Sequence, residues 1–319
     1  MKKVKQIIAL MTAAVLLAGC SGGTTQQASP AASTEAAGAA STEAAAADTA
    51  VSEAEADAGT ADAPAGNRLE EIKARGVMTV ATEPYFAPNE FIDPTKTGQD
   101  QYVGADIELA KYIAEKMGVE LEIVPLEFSA VLASIPEGKY DMAISALAYT
   151  PERAEAMNLS DGYHFTVDDY GYGLMINADD ADAIKGPEDL ADKIIVTQSG
   201  SLQEALVNAE VPEYAEFKRV SAMTDAFLTM QEGKADAAAV SVENAMLFIE
   251  NNPDANLMIV EPFRFNMPPE LDGERVAIMK GEDELTDFVN ECIAELLADG
   301  TYEKWYGEYA AYAAELGVE

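Results

Sequence analysis

The chain has 319 residues, a formal net charge of −37, two cysteines and one histidine. This acidity argues strongly against a partner that is nucleic acid or an anionic lipid surface, and it permits a cationic substrate without establishing one. Two cysteines and one histidine are too few for a disulfide framework, a thiolate cluster or a histidine metal site. No metal or cofactor is therefore predicted.

Residues 1–20 have the pattern of a secretory signal peptide. Three lysines precede an apolar run from Ile7 to Leu17, which is too short to span a bilayer. The small residues before Cys20 resemble the lipobox of bacterial lipoproteins, which implies cleavage before Cys20 and lipidation of its thiol. The lipid would anchor the protein to the outer face of the cell membrane. The alternative is an ordinary signal peptide with an incidental cysteine.

Residues 21–66 are rich in Ala, Ser, Thr, Gly and acidic residues, and they contain no aromatic residue, Lys or Arg. Such a segment cannot bury enough apolar surface to become ordered. It is predicted to be a disordered acidic tether.

From Asn67 onward the composition is globular, and strand and helix patterns alternate. The predicted strands are 76–81, 120–124, 140–147, 171–176, 193–197, 215–220, 235–241 and 275–280. The predicted helices are 106–117, a short one through 131–135, one from 151, one after 201, 222–231, 243–250, 284–298 and 301–316. The alternation predicts a mostly parallel sheet with ligands at the carboxyl ends of its strands. Cys292 is predicted to be a core residue, and His164 is interpreted as a turn residue.

The segment around Arg153 is the strongest candidate for a binding site. Thr150 is a good N-cap and Pro151 suits the first helical position, so a helix is predicted to begin there. Arg153 then lies among unpaired backbone N–H groups, where a cation is mildly unfavourable unless an anion shares the site. One interpretation is a carboxylate-binding cradle. The other is a surface arginine that pairs with Glu152 or Glu155.

Two aromatic residues follow other predicted strands. Phe86 lies in the loop after strand 76–81, and Phe128 follows strand 120–124. Because carboxyl ends of parallel strands meet at one edge, both rings are expected near Thr150.

Three stretches of the chain resemble the extracytoplasmic solute-binding proteins of amino-acid ABC transporters, solute-binding protein family 3. They are 103–111 (VGADIELAK), 140–163 (YDMAISALAYTPERAEAMNLSDGY), and 276–281 (VAIMKG) with 297–302 (LADGTY). The resemblance covers about 68–309. It implies an α/β chain with the two-lobed type II periplasmic-binding-protein fold, a hinge and an interlobe ligand cleft. Lobe 1 would comprise 67–161 and the return segment 266–319, and lobe 2 would comprise 162–265.

The resemblance also implies a function. The chain would be the substrate-binding component of an ABC uptake system, a monomer that captures an amino acid or similar small carboxylate outside the cell. It would deliver that ligand to a membrane permease and catalyse nothing. A ligand-presenting sensor protein is one alternative. Another is a dehydratase on the same fold, although the chain offers no nucleophile–base pair or metal cluster.

The site residues carry over position by position. Arg153 would grip the α-carboxylate with help from the hydroxyl and amide of Thr150, and Ser201 would lie at the anion-facing turn of the second lobe. Ala146 and Ala148 match positions that give backbone contacts. Phe86 and Phe128 match the aromatic pair that sandwiches the ligand side chain; the alternative for each is a core ring at a strand end.

The chain departs from the family at Ser241, where an acid usually pairs with the ligand's α-ammonium. Glu243 or Glu83 is a possible substitute, because an unpaired ammonium in a closed cleft costs several kcal/mol. Otherwise the ligand is not a simple α-amino acid.

Overall fold

The computed structural model describes residues 67–165, 170–268 and 272–318. The predicted signal peptide, the acidic tether and Cys20 lie outside the described residues. None of the helices in these ranges is long and apolar enough to cross a membrane.

Helices and strands alternate along much of the described chain. The α-helices are α1 (Arg68–Arg75), α2 (Ala105–Met117), α3 (Phe128–Ser134), α4 (Pro151–Ala156), α5 (Leu202–Glu210), α6 (Met223–Gln231), α7 (Val242–Asn251), α8 (Asp283–Asp299) and α9 (Thr301–Leu316). The β-strands are β1 (Val77–Thr82), β2 (Tyr85–Phe86), β3 (Glu90–Ile92), β4 (Tyr102–Val103), β5 (Glu120–Pro125), β6 (Met142–Ala143), β7 (Met157–Leu159), β8 (Tyr172–Asn177), β9 (Ile194–Gln198), β10 (Glu216–Val220), β11 (Ala237–Ser241), β12 (Leu257–Ile259) and β13 (Ala277–Met279).

These strands form two five-stranded sheets and one small sheet. The first sheet has the order β5-β1-β6-β13-β7 and the second β10-β9-β11-β8-β12, while β2-β3-β4 form the small one. We use first lobe for the first sheet with α1–α4, α8 and α9, and second lobe for the second sheet with α5–α7.

Each large sheet has four strands that point the same way and one reversed strand, so the expectation of a mostly parallel sheet is confirmed for strand direction. In the first, β1 is parallel to β5 and β6, whereas β13 is antiparallel to β6 and β7. In the second, β9 is parallel to β10 and β11, whereas β8 is antiparallel to β11 and β12. The antiparallel strands β8 and β13 follow the two segments that carry the chain from one sheet to the other. The start of each therefore lies beside the end of a parallel strand.

Helix α2 illustrates how the sequence forms the core of the first lobe. It begins after Gly104, whose φ is 131° and where a Cβ would come within 2.1 Å of the Asn89 carbonyl oxygen, so only glycine fits. Its apolar face is buried and includes Ile107, Leu109 and Ile113. Each such side chain contributes about 1.5–3 kcal/mol through burial. Cys292 belongs to the same core, as predicted.

Two local predictions are wrong. The apolar segment 140–147 gives a strand of two residues, Met142–Ala143, because the chain turns at Ala146, which has a φ of 47°. His164 does not occupy a turn. It is buried, forms a β-bridge with Glu274, and stacks on Tyr306 with 4.2 Å between ring centroids.

The two lobes contact each other directly. Nη2 of Arg153, in α4, donates to the carbonyl of Gly200 at 3.0 Å, and Nδ2 of Asn244, in α7, donates to the carbonyl of Ala87 at 2.6 Å. Phe86, in β2, packs against the apolar cluster of the second lobe. The structure therefore has a closed arrangement of the two lobes.

Candidate functional site

A cleft lies between the two lobes at the edge where the parallel strands end. It contains about 460 Å³ of space between atoms, including the part open to solvent. From the first lobe, the predicted residues that line it are Glu83, Phe86, Phe128, Ala146, Ala148 and Arg153. From the second lobe, they are Ser201 and Ser241.

The start of α4 fixes the position of Arg153. The Thr150 side chain accepts a hydrogen bond from the Arg153 amide at 3.1 Å, and Pro151 occupies the first turn, as predicted. The side chain then turns into the protein, where Nη1 donates to the Ala148 carbonyl at 2.6 Å. The guanidinium carbon lies 5.6 Å from the centre of the Phe128 ring. Arg153 is 8% exposed, so the alternative of a surface pair with a neighbouring glutamate is wrong.

The Arg153 guanidinium has no carboxylate partner among the described residues. Its hydrogen bonds within those residues go to two backbone carbonyls, those of Ala148 and Gly200. Burial lowers its pKa from 12.5 to about 10, because a cation without a counterion is unfavourable away from water. An anion that entered the cleft would remove this penalty.

The two predicted aromatic residues both line the cleft. Phe128 is buried and supports Arg153 through the cation–π contact, while Phe86 is half-buried and reaches the core of the second lobe. Phe128 therefore contacts Arg153, and Phe86 contacts the second lobe. Phe86 is also part of the contact between the lobes.

The small residues at the cleft wall have most of their polar groups occupied. The Ala146 amide donates to Asp106 Oδ2 at 2.8 Å, so this N–H is not available to a ligand. The Ala148 carbonyl accepts from Arg153. The Ser201 hydroxyl caps α5 by accepting from the Glu204 amide, and it donates to the Gln198 carbonyl at 2.7 Å. Ser241, at the end of β11, caps no helical amide with its side chain.

Two buried carboxyl groups lie at the end of the cleft near β1. Glu83 is 2% exposed and Glu90 is 1% exposed, and Glu83 Oε1 and Glu90 Oε2 accept no hydrogen bond from the described residues. The Ser145 hydroxyl links the Glu83 backbone to the Glu90 carboxyl group, since it accepts from the Glu83 amide at 3.0 Å and donates to Glu90 Oε1 at 2.8 Å. Burial raises the pKa of Glu83 to about 8, against a hydrogen bond from Gln198, and raises the pKa of Glu90 well above its usual range.

A third acid, Glu274, enters the cleft from the segment before β13. It is partly buried, and its Oε2 accepts from Asn89 Nδ2 at 2.8 Å. Burial raises its pKa to about 8, while the positive charge of His164 acts in the opposite direction. No group of three or more acidic, His or Cys side chains in the described ranges has a geometry that could hold a metal ion.

Two predicted site residues lie outside the cleft. The Thr150 hydroxyl caps α4 and so supports Arg153 without lining the cavity. Glu243 lies in the first turn of α7, after β11 has ended at Ser241. Its side chain therefore lines an adjoining cavity with His164 and Tyr306.

The sequence interpretation missed further lining residues, chiefly Glu90, Ser145, Tyr172, Gln198, Gln203 and Glu274. Gln198 could have been found from the sequence, since it directly follows the predicted strand 193–197. Tyr172 and Glu274 begin or precede the antiparallel strands β8 and β13. The starts of those strands lie at the edge where the parallel strands end, and only the strand directions would have revealed them.

Comparisons with known proteins agree with this geometry. A model of the bacterial extracellular solute-binding proteins, family 3, matches residues 78–311. The arginine-binding extracellular protein ArtP of Bacillus subtilis is 29% identical over 229 residues, which cover 71% of this chain and 83% of that protein. The L-cystine-binding protein TcyJ of Escherichia coli K12 is 25% identical over 244 residues, which cover 75% of this chain and 86% of that protein. A crystal structure of an amino acid ABC transporter substrate-binding protein from Streptococcus pneumoniae, bound to L-arginine, matches with a TM-score of 0.69 and 30% identity and covers 77% of this chain and 98% of that one.

Proposed function

This chain belongs to the bacterial extracellular solute-binding proteins of family 3 and has their two-lobed type II periplasmic-binding fold, and on that premise we propose that its cleft binds an L-amino acid by the α-carboxylate. The family acts outside the cytoplasm, and its relatives ArtP and TcyJ bind amino acids. The roles of the individual site residues are our assignment for this chain.

The observation that carries the proposal is the Arg153 guanidinium. It is 8% exposed, lines the cleft, and has no carboxylate partner in the described part of the chain. A planar guanidinium matches the two oxygens of a carboxylate, and the pair is strong when water is excluded. The Phe128 ring and the Ala148 carbonyl hold the guanidinium in place before a ligand arrives.

The acidic groups of the cleft favour a ligand with a cationic side chain, because a bound cation stabilises their ionised form. Against one guanidinium, the cleft contains the carboxyl groups of Glu83, Glu90 and Glu274, two of which have an oxygen without a hydrogen-bond donor among the described residues. A zwitterion with a neutral side chain supplies one cation for three acids, whereas arginine or lysine supplies two. L-arginine therefore ranks first among the ligands to test, in line with the names of ArtP and of the arginine-bound structure.

The ligand contacts both lobes and so favours the closed arrangement. The lobes hinge on the two segments that connect the sheets, and the closed, loaded monomer delivers its ligand to a membrane permease. The protein releases that ligand unchanged and is not an enzyme.

We assign the membrane attachment to the N-terminal segment. Cleavage before Cys20 and lipidation of its thiol would anchor the protein, with residues 21–66 as a tether. This assignment rests on the sequence pattern alone.

The test of the carboxylate site is a ligand screen followed by one substitution. Ligand-free protein is screened against amino acids and small carboxylates by thermal shift, and the best ligand is titrated by calorimetry. Arg153→Ala should weaken binding by about 2–5 kcal/mol, or roughly 30-fold to several thousand-fold, because a carboxylate remains buried without its partner.

Lys111→Ala is the control, since it removes one positive charge from an exposed side chain paired with Glu108. It should leave the affinity unchanged. An Arg153→Ala variant that folds and binds as tightly as the wild type would refute the assignment.

A further inference from the structure

The proposed ligand needs an acid for its α-ammonium, and β11 does not supply one. The strand ends at Ser241, which lines the cleft but carries no charge, and Glu243 lies in the adjoining cavity. An ammonium enclosed without a carboxylate is strongly unfavourable. The chain must therefore supply this acid from another element, or it cannot hold an α-amino acid tightly.

Glu274 lies beside the group that anchors Arg153. Its backbone forms an antiparallel bridge with Ala148, whose carbonyl accepts from Arg153 Nη1 at 2.6 Å. Residues opposed in this way have Cα atoms about 4.5–5.5 Å apart. Glu274 thus lines the same cleft as Arg153, and the two side chains form no ion pair with each other.

Tyr172 lies on the same side of the cleft as Ser241 and within electrostatic range of Glu274. Tyr172 pairs directly with Ser241 across β8 and β11, and both line the cleft with Glu274. Burial raises the pKa of the Tyr172 phenol; the charge of Glu274 raises it further, and that of Arg153 lowers it. Both charges therefore lie within electrostatic range of one phenol, on the side of the cleft where Ser241 is found.

A hydrogen bond holds the Glu274 carboxyl group in place. Asn89 Nδ2 donates to its Oε2 at 2.8 Å and lies 3.4 Å from the Tyr302 hydroxyl, which in turn donates to Asp106 Oδ1 at 2.6 Å. The side-chain hydrogen bonds of the described residues engage Oε2 and leave Oε1 for another donor. A carboxylate fixed in this way is suited to accept from an ammonium.

We propose that Glu274, from the segment that returns the chain to the first sheet, binds the ligand's α-ammonium and replaces the acid missing at Ser241. This inference rests on the proposed function, because it assumes that Arg153 holds the α-carboxylate. In an α-amino acid the ammonium nitrogen and the carboxylate carbon are about 2.5 Å apart, so the two protein groups must be neighbours without neutralising each other. Arg153 and Glu274 both contact Ala148, line the same cleft and form no ion pair with each other.

The experiment compares two ligands that differ only in the α-ammonium. They are L-arginine and δ-guanidinovaleric acid, which is the same molecule without its amino group. Both are titrated by calorimetry into the wild type, Glu274→Gln and the double variant Glu274→Gln/Ser241→Asp. Glutamine is isosteric and can still accept from Asn89, and aspartate is a good N-cap at the start of α7, so both changes suit the fold.

The wild type should prefer L-arginine by about 100-fold, as expected for a buried charge pair. Glu274→Gln should weaken L-arginine binding by about 30-fold or more and change δ-guanidinovaleric acid binding by less than about 3-fold. The double variant should bind L-arginine at least about tenfold more tightly than Glu274→Gln does. Its affinity for δ-guanidinovaleric acid should equal that of Glu274→Gln. Glu213→Gln, at an exposed position, is the control for loss of one negative charge.

Equal weakening of both ligands in Glu274→Gln, or an unchanged preference for L-arginine, would overturn the inference. So would loss of the preference in Glu243→Gln, which would assign the ammonium to Glu243. A wild type that binds no amino acid in the screen would instead refute the proposed function itself, so the two failures are distinct.

Discussion

Glu83→Gln should stabilise the ligand-free protein, and the gain should grow with pH. Glu83 is 2% exposed, and its Oε1 has no hydrogen-bond donor among the described residues. Burial, with a smaller contribution from Asp225, raises its pKa from 4.5 to about 8. Between these values the folded protein keeps a proton that the unfolded chain releases, so stability falls as pH rises.

The magnitude follows from the size of the shift. Each pKa unit corresponds to about 1.4 kcal/mol, and the unfolded carboxyl is half ionised at pH 4.5, so Glu83 alone lowers the free energy of unfolding by about 2 kcal/mol between pH 4.5 and 6.5. By pH 8 the loss reaches about 4 kcal/mol, since half of the folded carboxyl is still protonated there. Glutamine resembles the protonated carboxyl group and does not ionise. The variant should therefore match the wild type near pH 4.5 and exceed it by several kcal/mol at pH 8.

The assay is urea unfolding of ligand-free wild type and variant at pH 4.5, 6.5 and 8. Other titratable groups are common to both proteins, so the difference between the two curves isolates Glu83 and its neighbours. Glu213→Gln, at an exposed position, should give a curve parallel to the wild type. A constant difference between Glu83→Gln and the wild type at all three pH values would refute the reasoning, because the Glu83 carboxyl would then not be desolvated.

Two further predictions concern the cleft and the N-terminus. A carboxyl group with a pKa of about 8, as in Glu83 and Glu274, is about 90% protonated at pH 7, and a bound cation lowers that pKa. Binding of L-arginine should therefore release protons, and the affinity should increase from pH 6 to pH 8. Calorimetry in phosphate and in Tris at pH 7 measures the release, because the two buffers take up protons with different heats. Equal binding heats in the two buffers would contradict the prediction. Cys20→Ala should move the protein from the membrane to the soluble fraction without changing its affinity for L-arginine; a variant that stays in the membrane fraction would count against lipidation.

The position of Arg153 at a helix start could be predicted because its signals are local. Thr150 and Pro151 specify a helix start within three residues of Arg153, and the helix forms there. Most long elements were also predicted to within one or two residues, since their apolar periodicity reports burial. Examples are α9, predicted as 301–316, and α2, predicted as 106–117.

The rest of the site depends on contacts that a linear pattern does not encode. Glu274 is far from Arg153 in the chain and lines the same cleft because β13 runs antiparallel to β6. The strand predicted at 140–147 is short because the Ala146 amide bonds to Asp106, which lies 40 residues earlier. Strand direction and side-chain-to-backbone bonds of this kind are decided by tertiary packing, and local propensity does not reveal them.

The most direct test of the central claim is a crystal structure of the protein with the amino acid selected by the ligand screen. We expect both α-carboxylate oxygens to lie within hydrogen-bond distance of the Arg153 guanidinium, inside the cleft between the two sheets. A structure in which Arg153 turns into bulk water while the ligand occupies another cavity would contradict the account.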